Sequence, residues 1–372
     1  MRQNTVSIVV DLVTLAVLFV GLPSWSQMAG SSATDATNPL PHYIAHKVTA
    51  PEMAEYVLPD GSIYIAGNDL VAPLLERINA IYTEKHTGFK FKTDLISSGV
   101  AVAGVSSGKS AFGPTGRDVT SLEKEAFSSR FGYEVTDILV GWDNNPDVDH
   151  YPPFGKFPPG VWVNAKNPVP AISLEQLAGI LTSGSSNGDI TRWSEIKFHE
   201  APVGNNGADY AKREIHIYMP ILHGLPVVAT TRDRLGKNLT WSHRVEYLPL
   251  LEDVMNAVAN DPFGIGLAGW FPTDEGWDRS SSLMSKVRLL PLQEDTDSKV
   301  SHGGQGDLYP LAGGIHFLIN RKPGTPLEPW IKDYMELVLS SEGQRVLSDL
   351  TKTDGFLPLD PAEVESQRKK LE

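Results

Sequence analysis

The stretch Val161–Ile196 constrains the fold of this chain most, because several different local signals follow one another in it. Val161 and Val163 alternate with their neighbours as the residues of a β-strand do. Ser173 is a good helix N-cap, and Gln176 three residues later completes a capping box. The apolar residues that follow share one helix face: Leu174, Leu177, Ile180 and Leu181. The stretch therefore predicts a strand, a turn and an amphipathic helix in that order.

The first third of the chain repeats this alternation of element types. Short runs with strand composition are separated by turn residues and by runs with helical periodicity. The pattern predicts strands over 62–66, 89–96 and 110–112, and helices over 70–82 and 100–107. Strands that alternate with helices in this way are typical of α/β proteins with a mainly parallel sheet.

Four segments are informative because of their order along the chain. They are Asn164–Pro168 with the helix after it, Pro262–Gly269, Ser340–Gln344 and Gly355–Leu359. In this order they resemble the phosphate-binding proteins of ABC uptake systems, a family of periplasmic binding proteins. There an N-x-x-N-P strand end, a P-G-A-I-G-Y strand, an S-x-E-G-Q helix start and a G-x-x-P-L close follow one another. The resemblance implies a type II periplasmic-binding fold, an α/β architecture with two lobes of mixed sheets flanked by helices and a ligand cleft between them.

The amino terminus has the features of an export signal. Arg2 precedes an apolar run over 6–22, and Ser24-Trp25-Ser26 offers small residues at a cleavage site, although Asp11 interrupts the run. The next residues are small and polar without periodicity, as in a flexible leader. We predict the following organisation: signal peptide 1–26, flexible leader 27–58, lobe 1 from 59–140 and 305–372, and lobe 2 from 141–304.

Composition narrows the range of partners. The formal net charge of −13 over 372 residues disfavours nucleic acid and anionic membrane surfaces. The chain has no cysteine, which excludes disulfides, thiolate catalysis and a lipid anchor on cysteine. An exported chain of this kind fits a periplasm. We expect a monomer that binds a small-molecule solute and, as the resemblance implies, meets a membrane ABC permease.

The family holds a tetrahedral oxyanion with N–H and hydroxyl donors at helix starts, where backbone N–H groups and the helix dipole favour negative charge. Its first loop, G-S-T-x-x-x-P-L, corresponds here to Gly67–Leu74. Asn68 and Asp69 stand where the family has hydroxyls. Asp69 disfavours a fully ionised anion and favours a ligand that donates hydrogen bonds. Alternatively, Asp69 is simply the N-cap of the helix.

The second and third loops keep more of the family pattern. Ser97 and Ser98 with the glycine after them match the family's S-S-G, although serine at such a turn is also an ordinary cap. Thr115 and Arg117 match a G-x-S-S-R variant. Both residues are candidates to donate to the ligand. The alternative for Arg117 is a salt bridge, with Asp118 or an acid of lobe 2.

The fourth loop departs from the family, which has R-x-x-x-S-G-T there. Met219 replaces the arginine, His223 the serine and Leu225 the threonine, and only Gly224 is kept. We predict that His223, Gly224 and Trp142 contact the ligand, with apolar residues around them. Packing in the core is the alternative for the apolar residues and for Trp142. The apolar set is Met219, Leu222, Leu225, Trp142 and Trp270.

These features favour a periplasmic solute-binding protein of an ABC uptake system, with a small solute other than phosphate as its ligand. Two alternatives stay open: a true phosphate binder that uses variant loops, and a secreted binding or adhesion module without a transport role. Sequence motifs of serine hydrolases, zinc proteases and phosphate-binding loops are missing. We therefore expect no enzymatic activity, no cofactor and no metal-binding residues.

Overall fold

The structure is a computed structural model, and it describes residues 40–142, 160–185, 188–196, 210–221, 226–236, 239–269, 283–293, 309–311 and 313–372. The predicted signal peptide and the first part of the predicted leader lie outside these residues. So do His223, Gly224 and Trp270.

The first seven elements form the amino-terminal part of lobe 1. They are β1 Ile63–Gly67, α1 Ala72–Lys85, β2 Phe91–Leu95, α2 Ser98–Ser107, β3 Gly113–Thr115, α3 Ser121–Phe131 and β4 Thr136–Trp142. The predicted alternation is present, but the strand expected over 110–112 begins at Gly113. Ser110 explains this shift, because its Oγ accepts from Ala66 N (2.8 Å) and donates to Phe112 O (2.5 Å), which holds the preceding residues in a turn.

The middle of the chain forms lobe 2. Its elements are β5 Gly160–Asn164, β6 Ile172–Ser173, α4 Leu174–Leu181, β7 Thr182–Ser183, β8 His216–Pro220, α5 Pro226–Leu235, β9 Thr240–Trp241, β10 Val245–Leu248, α6 Leu251–Asn260, β11 Gly264–Ala268, β12 Val287–Leu289 and β13 Leu292–Gln293. The predicted capping box is confirmed. Ser173 N donates to Gln176 Oε1 (2.9 Å), and Gln176 N donates to Ser173 Oγ (3.1 Å).

The chain then returns to lobe 1. Its last elements are β14 Gly314–Ile319, α7 Pro329–Val338, α8 Ser341–Asp349, α9 Thr351–Asp354 and α10 Pro361–Lys369. Within the described residues, no helix has both the length and the hydrophobicity that crossing a bilayer requires.

Two separate sheet systems organise the two lobes. In lobe 1, β1 and β2 pair in parallel, and β14 lies between β3 and β4, antiparallel to both. In lobe 2, five strands follow the order β10-β8-β11-β5-β12, with β8 parallel to β10 and β11, and β5 antiparallel to its neighbours. Each system has its own apolar core. The predicted two-lobe α/β fold with mixed sheets is therefore confirmed.

The two lobes are connected where β4 and β14 lie side by side. Trp142, the last residue of β4, pairs with Gly314, the first residue of β14. Tyr309 and Leu311, which the predicted boundary at residue 305 assigns to lobe 1, pack in the core of lobe 2. The return to lobe 1 therefore falls between Leu311 and Gly314, beside the outgoing strand. A pair of adjacent connections is suited to a hinge between lobes.

The described part of the predicted leader packs against lobe 1. Tyr43 N donates to Glu342 Oε2 (2.8 Å), and Ser341 N donates to Pro41 O (2.9 Å). His46 N donates to Asp333 Oδ1 (3.0 Å). Residues 40–58 therefore make specific contacts with α7 and the start of α8, a difference from the contact-free leader that the composition indicates.

Candidate functional site

Three loops of lobe 1 meet at one edge of its sheet. Gly67 O accepts from Ile96 N (2.8 Å) and Ser97 N (3.0 Å), which joins the loop after β1 to the loop after β2. Asn68 N donates to Pro114 O (2.9 Å), which joins the loop after β1 to β3. This approach requires glycine at position 67, because a Cβ there would lie 2.5 Å from the Pro114 ring. The structure thus brings the first three predicted loops together.

In the first loop, the N-cap is Asn68 and not Asp69. Asn68 is buried, and its Oδ1 accepts from Leu70 N (2.9 Å) at the start of a short 3-10 turn that leads into α1. The interpretation of Asp69 as the cap is wrong by one residue. The Asp69 side chain is exposed. It therefore contributes a carboxylate at the surface of this loop.

In the second loop, Ser97 caps α2, while Ser98 has no such role. Ser97 Oγ accepts from Val100 N (3.4 Å). Ser98 is only 4% exposed, and no hydrogen-bond partner for its Oγ lies among the described residues. A buried hydroxyl without a partner costs free energy, so native proteins usually pair it with a protein group, water or a ligand. The Ser98 hydroxyl lies at the positive end of the α2 dipole.

In the third loop, both predicted donors are occupied within lobe 1. Thr115 Oγ1 donates to Arg117 O (2.6 Å). Arg117 is 6% exposed, and its two terminal nitrogens donate to the Glu123 carboxylate at 2.8 and 2.7 Å. Burial alone would raise the pKa of Glu123, but its hydrogen bonds and the Arg117 charge outweigh burial and lower it. The salt-bridge alternative for Arg117 is the one present, with Glu123 as the partner.

The start of α3 is occupied by a carboxylate from lobe 2. Ser121 N donates to Asp233 Oδ2 (3.0 Å), and Ser121 Oγ donates to Asp233 Oδ1 (3.2 Å). Beside this contact, Arg234 donates to Asp118 Oδ2 (3.1 Å). Asp233 and Arg234 belong to α5, whereas Asp118 and Ser121 belong to lobe 1. These contacts hold the two lobes together in this structure.

Asp118 also belongs to a partly buried ion cluster around His316 on β14. His316 Nε2 lies 2.9 Å from Asp118 Oδ1, and His316 Nδ1 lies 2.6 Å from Asp137 Oδ1. Burial opposes the charged imidazole, but the two carboxylates outweigh it and raise the pKa of His316 to about 10. Burial would raise the pKa of Asp118, but His316 and Arg234 lower it well below its ordinary value. His316 is therefore a cation at neutral pH.

The predicted apolar and aromatic contacts of the ligand are only partly described. Met219 is fully buried in the core of lobe 2. Trp142 packs in the core of lobe 1, and its backbone pairs with Leu357. Core packing is therefore the interpretation that the described residues favour for both. His223 and Gly224 remain predictions, because they lie outside the described residues.

Comparison with known proteins adds a sequence relationship. No protein-family model matches the chain. The chain is 24% identical over 315 residues to a phosphate-binding protein PstS of Pseudomonas aeruginosa, covering 82% of this chain and 84% of that protein. The chain resembles the phosphate-binding proteins of ABC uptake systems. The resemblance that the four motifs indicate is thereby confirmed over most of the length.

Solved structures with a similar backbone fold include the following two proteins. An ABC-type phosphate transport receptor from Vibrio cholerae has a TM-score of 0.48 and 14% identity, covering 80% of this chain and 99% of that chain. The tungstate-binding protein TupA from Desulfovibrio alaskensis has a TM-score of 0.45 and 12% identity, covering 80% of this chain and 98% of that chain.

Sequence reasoning missed the residues that join the lobes. Ser121, Asp233 and Arg234 were not predicted in any role, and Asp118 only as a partner of Arg117. One local signal was present. Thr120 and Glu123 have the spacing of a capping box, and both of its hydrogen bonds form at the start of α3. That signal predicts the helix start but not Asp233, which lies 112 residues further along the chain than Ser121.

Proposed function

We propose that the chain is the periplasmic solute-binding component of an ABC uptake system, and that its ligand is a small solute other than free phosphate. The solute would bind between the lobes, at the edge where the three loops of lobe 1 meet. A membrane permease would receive the solute from it, as the relationship to the Pseudomonas aeruginosa phosphate-binding protein suggests. That relative is a binding protein, which agrees with a function without catalysis.

The observation that carries the proposal is Ser98 at the start of α2. Its hydroxyl is buried and has no partner within the described residues, next to N–H groups at a helix start. A solute with a hydrogen-bond acceptor would satisfy both kinds of donor. A structural serine in a core would instead bond to a nearby carbonyl, as the Ser340 hydroxyl does to Leu337 O (2.7 Å).

The preference against phosphate rests on charge. A phosphate dianion in a closed cleft needs cationic or strongly directed donors around it. Arg117 is the cation that the family pattern provides in the third loop. Both of its terminal nitrogens already donate to the Glu123 carboxylate. Met219 stands where the family has its arginine, and it is buried in an apolar core. Asp69 adds an exposed negative charge to the same edge. An uncharged or hydrogen-bond-donating solute suits these groups better.

The test is a solute screen on protein that has been unfolded, washed free of ligand and refolded. We expect one class of solute to raise the melting temperature and to reduce the radius of gyration in small-angle scattering. Ser98→Ala should weaken that binding about tenfold, the loss of one to two hydrogen bonds. Ser107→Ala, at the opposite end of α2, is the matched control and should bind as the parent does. If no solute stabilises or compacts the protein, the proposal fails.

A further inference from the structure

A second cluster of histidine and carboxylates lies where the segment 40–58 crosses α7. His46 Nδ1 lies 3.0 Å from Asp333 Oδ1 and 3.3 Å from Glu336 Oε2. One ligand atom from each residue lies within 4.8 Å of the other two. Asp333 and Glu336 are three residues apart on α7, so both side chains project from the same face of the helix.

Two of the three spacings are close to those in the coordination sphere of a small transition-metal ion. Zinc bonds to histidine nitrogen and carboxylate oxygen at about 2.0–2.1 Å in a tetrahedron, which places neighbouring ligand atoms about 3.3 Å apart. The His46 nitrogen stands at 3.0 and 3.3 Å from the two carboxylate oxygens. An ion could therefore be held with only small side-chain movements.

Asp333 is held in place by a second set of partners. Its Oδ2 accepts from Tyr43 Oη (2.8 Å) and lies 3.0 Å from His86 Nε2, while Oδ1 faces His46. Outer hydrogen bonds of this kind orient a carboxylate and preserve its position when a metal ion binds. They also leave Oδ1 of Asp333 directed toward the other two ligand atoms.

Charge and access favour a cation at this point. The Asp333 side chain is 2% exposed and that of Glu336 17%, and within the described residues both ion-pair with histidine, not with lysine or arginine. A surface cavity of about 260 Å³, which Lys47 and Lys332 also line, reaches the same residues, and His46 is 61% exposed. An ion therefore has a path from solvent and room for a water ligand.

We propose that His46, Asp333 and Glu336 bind a divalent transition-metal ion such as zinc, and that this ion fastens the segment 40–58 to lobe 1. The site lies on α7 and not on the three-loop edge. The proposal departs from the expectation that the chain has no metal-binding residues, and the ion would have no contact with the solute. The composition of the cluster, one nitrogen and two oxygens, suits zinc better than calcium, which takes six to eight oxygen ligands.

Calorimetry on the full chain, stripped with a chelator, tests the site with zinc chloride as the probe. We expect one zinc ion per chain, with affinity at least tenfold weaker in His46→Ala and in Glu336→Gln. The matched control is His42→Ala, which removes a histidine of the same segment that pairs with Glu342 and not with the cluster. His42→Ala should bind zinc as the parent does. Calcium should give no heat of binding.

Proteolysis provides a second readout that depends on the proposed role. Lys47 follows His46, is exposed and is a trypsin site. Zinc should slow trypsin cleavage after Lys47 at least fivefold in the parent and in His42→Ala, and should leave the rate unchanged in His46→Ala. If zinc does not bind, or if His46→Ala binds it as tightly as the parent, the metal site is wrong. Binding without protection of Lys47 would overturn the fastening role.

Discussion

Two helix starts of lobe 1 present the same physical chemistry and meet different partners. At α3, the Ser121 N–H and hydroxyl donate to Asp233 of lobe 2. At α2, the Ser98 hydroxyl is buried and has no partner within the described part of the chain. Both are serines in the first helical position, where N–H groups and the dipole favour a negative or accepting group. One start joins the lobes, and the other is the one we propose for the solute.

Two helix starts with the same donor groups can therefore have different roles in one protein. The carboxylate of Asp233 satisfies α3 with a group of the protein itself, and the Arg234–Asp118 pair beside it adds a second contact between lobes. These contacts do not require a solute. The start of α2 lacks such a partner within the described residues, and we propose that a solute binds there. The following substitutions test whether the two helix starts have these different roles.

The largest effect is expected at the ion cluster behind the α3 contacts. His316→Ala leaves Asp118 and Asp137 without the cation between them, and should lower the free energy of unfolding by about 3 kcal/mol. Denaturant unfolding measures this loss. His216→Ala is the control, since His216 is half-exposed and pairs with Asp261 at 2.6 Å. It should cost less than about 1 kcal/mol. Equal losses in the two variants would contradict the larger contribution that we assign to the His316 cluster.

The same cluster predicts how stability depends on pH. The pKa of His316 rises from 6.5 in the unfolded chain to about 10 in the folded one, so its contribution is complete below pH 6.5 and is lost as the pH rises toward 10. The pKa of Asp118 is lowered, so its contribution is complete above 3.8 and is lost as the pH falls further. Unfolding curves of the parent should show both declines. A His316→Gln variant should lose the decline between pH 6.5 and 10.

Removing the carboxylate at α3 should have an intermediate effect. Asp233→Ala deletes two hydrogen bonds to Ser121 and a charge at a helix start, at a cost of about 1–2 kcal/mol. The solute-free protein should also become more open in small-angle scattering, because the contact joins the lobes. The control is Asp253→Ala, which removes a carboxylate that accepts from Leu250 N (3.1 Å) within lobe 2. It should lower stability without opening the protein.

The smallest effect on stability is expected at α2. Ser98→Ala removes a buried hydroxyl without a described partner, so stability should change by less than about 0.5 kcal/mol, in the stabilising direction. Thermal unfolding of solute-free protein measures the change. A loss of more than 1 kcal/mol would mean that Ser98 makes a structural hydrogen bond. The comparison of the two helix starts would then fail.

Local sequence signals were sufficient for several elements and for the α/β class, whereas the two-lobe fold was predicted from the resemblance to a known family. The Ser173–Gln176 capping box and the strand patterns of β1, β5 and β11 are each determined by residues close in sequence. Local signals did not distinguish between two neighbouring candidates for the N-cap of the first turn. Asn68, and not Asp69, is the cap, because the Asn68 side chain accepts from Leu70 N. The one-residue error arose because both residue types are good caps.

Contacts between distant segments could not be predicted in the same way. Arg117 pairs with Glu123 because the turn before α3 folds its side chain back, which the spacing alone does not show. Arg234 reaches Asp118 across 116 residues, and His316 reaches Asp118 across 198. The first pair depends on how the two lobes are placed, and the second on the pairing of β14 with β3 within lobe 1. A single sequence offers no signal for them.

We propose that the chain keeps the fold of the phosphate-binding proteins but binds a solute other than phosphate, because Arg117 at the three-loop edge already pairs with Glu123. Calorimetric titration of the stripped, refolded protein with inorganic phosphate at neutral pH tests it most directly. Our account predicts no binding with a dissociation constant of about 10 μM or tighter, a free energy of about −7 kcal/mol. Binding at micromolar affinity or tighter, lost in Ser98→Ala and kept in Ser107→Ala, would contradict it and make phosphate the ligand.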